Sequence, residues 1–420
     1  MGNNSILARL TSWGSTAPVE AANSKRMRVF LMDMLSIVPY YTGHLCAKLQ
    51  EIEAIDLTVG SIPYGHDKTF FQRMGVRTDF MLMNPSAKLS PGTPIRRALK
   101  AIEYLWNLIF LAARFLFHKP DIIHVQFLPL ITLGMPFEIW FLRLMKLLGV
   151  KVVYTVHNVV PHERARRDRY RYSRMYELTD RLICHDMPAR NRLAAEFHVN
   201  PAKIEVIPHG PLFQPCGKAT DTEARRVLQL PADGCVVLFQ GIIRPYKGVP
   251  FLLKAWRKAL DSGFPGVLVI VGTGEPEQLT EIRGCVDDLE LKSSVKLIFR
   301  FVPIDELDNY YKAADILVYP YSAVTTSGAL MTGIGYAKPI IATALPAFYE
   351  ILHHEDNALI VGYGHVEGLA EALLRLGNDA VMRAALARRL QSMSAVFPTW
   401  REIANRTAAC YAAVLAQDNA

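Results

Sequence analysis

Short apolar runs rich in β-branched residues recur along most of this chain, and each is bounded by glycine, proline or charged residues. The first half contains MRVFLMDML, DIIHVQFL, VKVVYTVHN, RLICHD and KIEVIPHG, and the second half contains CVVLFQG, VLVIVGTG, VKLIFRF, DILVYPY and PIIATAL. Runs of this kind are typical of interior parallel strands, which are buried on both faces. Because helical sequence separates them, we predict an α/β fold with two doubly wound parallel sheets in succession.

A loose stretch between Pro211 and Asp233, rich in turn residues, divides the two series of predicted strands. A chain of 420 residues exceeds the size of one hydrophobic core, so two domains are expected. The predicted parts are a flexible tail over 1–26, a first domain over 27–212, a linker over 213–233, a second domain over 234–394 and a final helix over 395–420. Periodicity leaves open whether the final helix closes the second domain or crosses back to the first.

The chain is basic, with a formal net charge of +8 and a pI near 9.1. A basic surface attracts phosphates, and because no nucleic-acid motif is present we expect contact with anionic membrane lipid and none with nucleic acid. The six cysteines are scattered without metal-ligand spacing, which indicates reduced thiols in a cytoplasmic protein and no metal site. The N-terminal residues lack a secretory signal, and no apolar run of about 18 residues predicts a transmembrane helix.

Residues 94–120 combine a long apolar helical sequence with cations at both ends. Arg96, Arg97 and Lys100 lie near its start, and Trp106 and other aromatic residues follow. One interpretation is an interfacial helix, which would make the protein peripheral on the inner face of the cell membrane. The other is a core helix packed on the sheet, and the sequence alone leaves both open.

The segment FQGIIRPYKG is the most informative motif, because it joins a predicted strand to a predicted helix through a loop with two cations. Gly241 ends the strand, and Arg244 and Lys247 follow it. A guanidinium and an ammonium beside a helix N-terminus suit a leaving group that develops diphosphate charge. We therefore predict that Arg244 and Lys247 are catalytic and bind the diphosphate of a donor, although two solvated cations on a surface turn would give the same pattern.

Other loops at predicted strand ends supply further candidates for donor binding. Gly272 belongs to a strand, Gly-x-Gly and helix sequence, and the backbone after the next strand would present groups that read a base edge. The TTSG loop opens a helix with free amides and hydroxyls, which form an anion site. The additional donor-binding candidates are Gly241, Gly272, Arg300, Phe301, Val302, Thr325, Thr326, Ser327, Gly328 and Thr332.

His157 ends a buried strand in the first half and is the third catalytic candidate. A histidine at the carboxyl end of a strand is suited to bond a sugar hydroxyl or a developing charge, although such residues are often structural. His124 and His209 are weaker candidates of the same kind. The candidates for acceptor binding are Tyr41, Gly43, His44, His162 and Glu163.

With these motifs in order, the chain resembles the glycosyltransferase family 4 group of retaining GT-B enzymes from about Arg28 onward. The resemblance is carried by TVHNVVPHE, IEVIPHG, GIIRPYKG, VGTGEP, RFVPIDELDNYYKAADILVYPY, TTSGALMTGIGYAKPIIAT and FPTWREIANRT. It implies two Rossmann-like domains facing a central cleft, with Arg244 and Lys247 on the donor diphosphate and His157 near the transferred sugar. It also implies retention of configuration, no obligatory metal and no cofactor besides the nucleotide-sugar substrate.

The chain departs from that family at two places. Most members carry two glutamates eight residues apart where this sequence has Val324 and Thr332, and the glycine pair usual after the first strand is reduced to Gly43. Ribose recognition and the acid near the sugar therefore do not follow from the resemblance.

Three functions stay open at this point. The leading one is a hexosyltransferase that acts on a lipid-linked saccharide in exopolysaccharide biosynthesis, because the first domain is basic and rich in aromatic residues. The second is a non-catalytic GT-B-like protein that binds a nucleotide sugar and partners another glycosyltransferase. The third is a sugar-nucleotide epimerase, which would need more carboxylates in the cleft.

Overall fold

The computed structural model shows two compact units, each built around its own sheet. Within the described residues, the first unit comprises the chain up to Gly210 together with residues from Pro398 onward, and the second comprises the intervening chain from Pro211 to Phe397. The structure describes residues 26–65, 67–78, 82–89, 93–159, 165–213, 215–217, 219–325, 327–395 and 397–417. Almost all of the predicted tail over 1–26 lies outside these ranges.

The first unit contains a six-stranded parallel sheet in the order β2-β1-β3-β4-β5-β6. Its strands are β1 Met27–Asp33, β2 Ile55–Ser61, β3 Ile122–Val125, β4 Lys151–Thr155, β5 Arg181–Cys184 and β6 Ile204–Val206. Its helices are α1 Pro39–Leu49, α2 Phe70–Arg73, α3 Pro94–Phe117, α4 Pro129–Thr132, α5 Phe137–Leu147, α6 Ala165–Leu178, α7 Met187–Phe197 and, from the end of the chain, α16 Trp400–Ala416. Short 3₁₀ helices lie at Pro85–Lys88 and Pro201–Lys203.

The second unit contains another six-stranded parallel sheet, in the order β12-β11-β10-β7-β8-β9. Its strands are β7 Cys235–Gln240, β8 Gly266–Val271, β9 Val295–Ile298, β10 Ile316–Tyr319, β11 Ile340–Thr343 and β12 Leu359–Val361. Its helices are α8 Asp221–Val227, α9 Val249–Asp261, α10 Pro276–Asp288, α11 Ile304–Ala313, α12 Gly328–Gly335, α13 Pro346–Tyr349, α14 Val366–Asn378 and α15 Ala380–Ser394. A 3₁₀ helix at Pro245–Lys247 precedes α9.

The predicted fold class is confirmed, because both sheets are parallel and each is flanked by helices. Two strands were not predicted: β2 reads IDLTVGS, in which polar residues interrupt the apolar run, and β12 spans only Leu359–Val361. The units divide between Gly210 and Pro211, and α8 occupies part of the range predicted as a linker. The chain finishes in α16, which packs beside α1 in the first unit.

Helix starts follow from ordinary capping residues. Thr93 accepts a hydrogen bond from the Arg96 amide, and Pro94 takes the first helical position of α3. Thr399 and Glu402 form a capping box at the start of α16, which satisfies two amides that lack partners within the helix. These local signals fix where α3 and α16 begin.

Candidate functional site

The strand order of the second sheet reverses between β10 and β7, the place where ligands bind in sheets of this type. Gly272, after β8, approaches Gly241 so closely that a Cβ atom on Gly272 would lie 1.9 Å from the Gly241 carbonyl oxygen. Gly248 adopts a φ of +67°, and a Cβ atom there would lie 1.9 Å from the Pro320 carbonyl oxygen. Glycine alone fits these contacts. They hold the loop over 241–248 against the strand ends, and we call this region the second-sheet edge.

Lys247 and Arg244 place positive charge at the second-sheet edge. The Lys247 ammonium donates to the Tyr321 hydroxyl at 3.2 Å and lies 4.9 Å from the centre of that ring. A Cβ atom on Gly241 would come within 2.6 Å of the Lys247 Nζ, so glycine leaves room for the ammonium. Burial, opposed by Tyr246 and assisted by Arg244, lowers the pKa of Lys247. Within the described part of the chain neither cation pairs with a carboxylate, so the edge has charge to offer an anion.

The loop before α12 adds uncharged donors to this edge. The Thr325 hydroxyl oxygen is buried and has no hydrogen-bond partner among the described residues. Ser327 caps α12 by accepting from the Leu330 amide at 3.1 Å, and Gly328 is the first helical residue. A buried hydroxyl without a partner requires an explanation, and a bound anion beside a helix N-terminus supplies one. Thr326 lies outside the described residues.

Three other predicted donor contacts have different surroundings. Arg300 is half exposed and forms a bidentate ion pair with Glu306, so its charge is already compensated. Phe301 and Val302 follow β9 in a segment without regular structure, and Val302 is buried. That their backbone groups hydrogen-bond the edge of a nucleotide base stays a prediction.

Thr332 has the geometry of a packing residue. Its side chain is fully buried, and its hydroxyl donates to the Gly328 carbonyl oxygen at 2.9 Å while it accepts from the Phe213 amide at 3.3 Å. The donor and one of the two acceptor lone pairs of the hydroxyl are used within the protein. The Thr332 hydroxyl is thus engaged inside the protein in the described state, and its assignment to donor binding stays a prediction.

Histidines gather at the carboxyl end of the first sheet, which we call the first-sheet edge. His124 lies on β3, and His157, His185 and His209 follow β4, β5 and β6. Neighbouring ring centres are 5.3 Å apart between His157 and His185 and 5.1 Å apart between His185 and His209. Because parallel strands end at one edge, the regular spacing of histidines after apolar runs brings them together. Sequence analysis overlooked His185, although its run, LICHD, carries the same signal as the others.

Hydrogen bonds connect most of these rings. His124 contacts the Tyr411 hydroxyl through Nδ1 at 2.6 Å and Thr155 through Nε2 at 2.7 Å. The amide of Gln126 bridges His124 and His157, with distances of 3.1 and 3.0 Å to their Nε2 atoms. His157 Nδ1 lies 3.4 Å from His185 Nε2. Both ring nitrogens of His157 thus face protein atoms, and the 3.4 Å contact is the weaker of the two.

Tyr41 lies at the centre of this edge, where its ring contacts His157, His185, His209 and Trp400 with centroid distances of 4.8, 5.2, 5.1 and 5.3 Å. Tyr41 is fully buried, which gives it a packing role in the described state.

The other acceptor candidates have varied surroundings. His44 stacks on Trp400 at 5.1 Å and an interplanar angle of 14°. Gly43 packs on Phe70, whose ring would lie 2.7 Å from a Cβ atom there. The remaining two, His162 and Glu163, lie outside the described residues.

The four histidines of the first-sheet edge are uncharged at physiological pH. Burial lowers the pKa of His124 to about 3, of His185 to about 4 and of His209 to about 3, with neighbouring histidines adding to the effect at His209. Burial and the adjacent histidines also bring the pKa of His157 well below its usual range. The four imidazoles therefore act as neutral hydrogen-bonding groups.

Two family models match this chain, one in each unit. Residues 68–210 match Glycosyltransferase Family 4, and residues 234–379 match Glycosyl transferases group 1. The first match contains the histidines of the first-sheet edge, and the second contains Arg244, Lys247 and the loop before α12.

Curated relatives agree with these families. The chain is 30% identical over 220 residues to a D-inositol 3-phosphate glycosyltransferase from Acidothermus cellulolyticus, which covers 50% of this chain and 48% of that protein. It is also 30% identical over 253 residues to a GDP-mannose:glycolipid 4-beta-D-mannosyltransferase from Xanthomonas campestris pv. campestris, which covers 57% of this chain and 63% of that protein. The matches thus span between about half and two thirds of the relatives.

Solved structures with the same fold cover nearly the whole chain. HepE from Anabaena in complex with UDP-glucose aligns with a TM-score of 0.74 at 15% identity, over 92% of this chain and 100% of that chain. Sucrose-phosphate synthase from Thermosynechococcus elongatus aligns with a TM-score of 0.72 at 20% identity, over 93% of this chain and 100% of that chain. These similarities establish the GT-B fold.

Proposed function

This chain belongs to the family 4 glycosyltransferases, and we propose that it transfers a hexose from a nucleoside-diphosphate sugar to an acceptor hydroxyl with retention of configuration. In this reaction the bond from the anomeric carbon to the phosphate oxygen breaks, and a bond to the acceptor oxygen forms. The diphosphate that leaves gains negative charge and takes the acceptor proton. Residues that stabilise that charge more in the transition state than in the bound donor accelerate the step.

The observation that carries the proposal is the set of unused donors at the second-sheet edge. Lys247 and Arg244 have no carboxylate partner among the described residues, and the Thr325 hydroxyl has no partner at all there. An anion on this edge would gain charge-assisted hydrogen bonds and satisfy the buried hydroxyl. Displacing water from the partly buried ammonium strengthens the attraction further. The UDP-glucose complex of a protein with the same fold agrees with a nucleotide sugar as the anion.

His157 is proposed to act on the sugar side of the reaction. Its weaker contact, 3.4 Å to His185, is the one that a sugar hydroxyl can replace at least cost. Removing this imidazole in His157→Ala is expected to lower transfer while the affinity for the bare nucleoside diphosphate stays unchanged.

The test is hydrolysis and transfer with a panel of nucleotide sugars, using membrane extract as the source of acceptor. We expect turnover with one donor of the panel and none with the bare sugar phosphate. Binding of a nucleotide sugar without any turnover would contradict catalysis and support a non-catalytic binding partner. That second function is favoured by Thr332, whose hydroxyl is engaged inside the protein where most family members have a glutamate.

We further propose that the acceptor is lipid-linked and that the protein binds an anionic membrane surface through α3, as in exopolysaccharide biosynthesis. Helix α3 is apolar on two opposite faces: Tyr104, Leu108 and Leu111 are buried in the core, whereas Trp106 and Phe117 are 56% and 82% exposed. The exposed stripe on α3 comprises Ile95, Ile102, Trp106, Ile109, Leu116 and Phe117. The buried face agrees with the core-helix interpretation of this segment, and the exposed face supports the proposal of an interfacial helix.

Helix α5, which packs against α3 through the buried rings of Phe115 and Phe141 with centroids 6.5 Å apart, also exposes large apolar side chains. Trp140 and Leu147 on α5 are 55% and 85% exposed. A monomeric surface rarely exposes so many large apolar side chains together, so the patch indicates a binding surface. A glycolipid acceptor in a named relative agrees with a lipid as the partner.

Cations beside the stripe favour an anionic bilayer over another apolar partner. At 100° per residue, Arg96, Lys100 and Arg114 fall along one flank of α3. Burial lowers the pKa of Lys100, and the positive charge of Arg96 lowers it further while Glu103 opposes this, so Arg96 and Lys100 lie close enough to repel each other. Anionic headgroups would relieve this repulsion while the aromatic side chains enter the acyl boundary. In the described part of the chain, no helix has the length and apolar character needed to cross a bilayer.

Replacing Arg96, Arg97 and Lys100 by glutamate tests the membrane proposal. Each cation contributes roughly 1 kcal/mol near an anionic surface, so the three changes are expected to reduce partitioning onto anionic vesicles by at least about 100-fold. Replacing the exposed cations Lys254, Lys292 and Arg388 of the second unit by glutamate is the matched control. Equal losses in both triple variants, or no binding of the native protein at low salt, would contradict a membrane surface on α3.

A further inference from the structure

The first-sheet edge contains an unbroken series of hydrogen-bonding groups, which we call the histidine chain. Its members are Tyr411, His124, Gln126, His157, His185 and the carbonyl group of Ile207. None of these groups is a carboxylate, and the groups that act electrostatically on His157 are the imidazoles of His124, His185 and His209. The protons of the chain must therefore be shared among neutral donors and acceptors. Counting them leaves two arrangements, which differ in the orientation of the Gln126 amide.

The count begins at the Ile207 carbonyl oxygen, which can only accept. His185 Nδ1 lies 3.0 Å from it and must carry a proton. A neutral imidazole has one N–H, so His185 Nε2 is then an acceptor. A hydrogen bond across the 3.4 Å to His157 Nδ1 requires the proton of His157 on Nδ1. His157 Nε2 must in turn accept from Gln126.

This arrangement requires the Gln126 amide to turn by half a turn from its orientation in the structure, where Oε1 faces His157 and Nε2 faces His124. Its NH₂ group must face His157 and its oxygen must face His124. After this turn, His124 donates from Nε2, which Thr155 Oγ1 and the Gln126 amide approach at 2.7 and 3.1 Å, and it accepts at Nδ1 from the Tyr411 hydroxyl, 2.6 Å away. Every member of the neutral chain is satisfied in this arrangement, and all the hydrogen bonds point the same way.

The opposite amide orientation leaves the chain one proton short. In the structure Gln126 Oε1 lies 3.0 Å from His157 Nε2, so His157 carries its proton on Nε2 and its Nδ1 is bare. Two bare nitrogens, on His157 and His185, then face each other, which agrees with their separation of 3.4 Å, the longest in the chain. One added proton between these two rings would complete the chain. A half-turn of the Gln126 amide thus converts one state of the histidine chain into another. In the first, every neutral group has a hydrogen-bond partner; in the second, His157 and His185 can together bind one additional proton.

We propose that Gln126 is a positioning residue for His157, because its amide orientation decides which ring nitrogen of His157 carries the proton and whether the His157–His185 pair takes up another. The role of His157 in transfer rests on the proposed function, whereas the proton arrangement does not. When the NH₂ group of Gln126 faces His157, the hydrogen bond between His157 and His185 is intact. In the other orientation that hydrogen bond is broken unless a proton enters, which frees His157 Nδ1 to accept from a sugar hydroxyl.

Gln126→Glu separates the two arrangements. A carboxylate accepts on both sides, so it holds the proton of His157 on Nε2 and adds a negative charge that favours a proton between His157 and His185. Gln72→Glu makes the same chemical change at an exposed site of the same unit and is the matched control.

The experiment is ¹⁵N–¹H NMR of the full-length protein with labelled histidine, with signals assigned from single-histidine substitutions. In the native protein at pH 7.5 we expect neutral tautomers with protons on Nδ1 of His157, Nδ1 of His185 and Nε2 of His124. In Gln126→Glu we expect His157 to move to the Nε2 tautomer and the His157–His185 pair to titrate at higher pH, with Gln72→Glu unchanged. A native His157 protonated on Nε2 would overturn the proposal, and so would a tautomer that Gln126→Glu leaves in place.

The native spectrum alone decides the tautomers if Gln126→Glu does not fold. The NMR experiment needs neither the sugar donor nor the acceptor substrate. If the protein has the predicted tautomers but no transfer activity, the proposed function is refuted and this inference stands. In an active protein, Gln126→Glu is expected to move the acid limb of the kcat profile to higher pH while the KM for the donor stays the same. A merely structural role for Gln126 would lower activity at all pH values without moving the limb, and that result would overturn the positioning role.

Discussion

The carboxyl edges of the two sheets are built from the same strand pattern but have opposite chemistry. The first-sheet edge contains neutral imidazoles, Tyr41 and Trp400, and most of its polar atoms bond each other. The second-sheet edge contains Lys247 and Arg244 without carboxylate partners among the described residues, and a buried Thr325 hydroxyl without a partner there. The polar atoms of the first-sheet edge mostly bond each other, whereas the second-sheet edge has hydrogen-bond donors left for a ligand.

Under the proposed function, this difference divides the work of a transferase between the two edges. Charge that must be stabilised during the reaction is best met by fixed donors that need no reorganisation, as at the second-sheet edge. A sugar and its acceptor are neutral at the reacting hydroxyls, and neutral imidazoles suit them. The fold supplies two equivalent edges, and the residues placed there decide the role of each.

Acidification is expected to separate the two edges most strongly. The folded pKa values of His124, His185 and His209 lie below the ordinary value of about 6.5, so between about pH 4 and 6.5 the unfolded state binds protons that the folded state does not. The free energy of unfolding therefore falls as the pH drops below about 6.5, by about 1.4 kcal/mol per histidine at pH 5.5. Hydrogen exchange should show β3–β6 losing protection well before β7–β10. Equal losses in both sheets would contradict a pH-sensitive first-sheet edge.

Truncating the cations of the second-sheet edge is expected to have the next largest effect. Lys247→Ala and Arg244→Ala each remove a contact to a leaving group, which costs about 3–4 kcal/mol of transition-state stabilisation, or roughly a 100- to 1,000-fold loss in kcat/KM. Lys254→Ala, an exposed lysine on α9, is the control and should leave transfer unchanged. Near-native transfer by the double variant Arg244→Ala/Lys247→Ala would contradict the assignment of the diphosphate site.

The second-sheet edge was predictable because its parts are close in sequence. Gly241, Arg244, Lys247 and Gly248 follow one strand, and the helix that begins after them fixes where they lie. The hydrogen bond between Thr332 and Phe213 was not predictable, because the two residues are 119 positions apart and periodicity gives no sign of that contact.

The first-sheet edge was only partly predictable. The repeated histidines after apolar runs are visible in the sequence, and His157 was selected from them. Gln126 was overlooked because it becomes significant only when β3 and β4 pair in register. The Tyr411 contact spans 287 residues, and it depends on the final helix packing in the first unit, a choice that the sequence left open.

The smallest expected effect is a difference in the free energy of unfolding between two glycine variants, which tests the close approach at the second-sheet edge. Gly248→Ala and Gly263→Ala both place a side chain at positive φ. The added Cβ atom clashes with the Pro320 backbone in Gly248→Ala, whereas in Gly263→Ala it has no heavy atom within 4 Å. Strain at positive φ costs about 1–2 kcal/mol in either variant, and the clash with Pro320 adds roughly 1–3 kcal/mol in Gly248→Ala. Urea unfolding measures the difference. Equal stabilities would show that the close approach at Gly248 is relieved without cost.

Calorimetry with a bare nucleoside diphosphate tests the division between the two edges most directly. The titration compares the native protein with Lys247→Ala and His157→Ala under the same salt and pH. The account predicts that Lys247→Ala weakens binding at least about 10-fold, the loss expected for a charge-assisted contact, while His157→Ala binds as tightly as the native protein. Unchanged affinity in Lys247→Ala together with a loss in His157→Ala would place the diphosphate on the first-sheet edge and contradict the account.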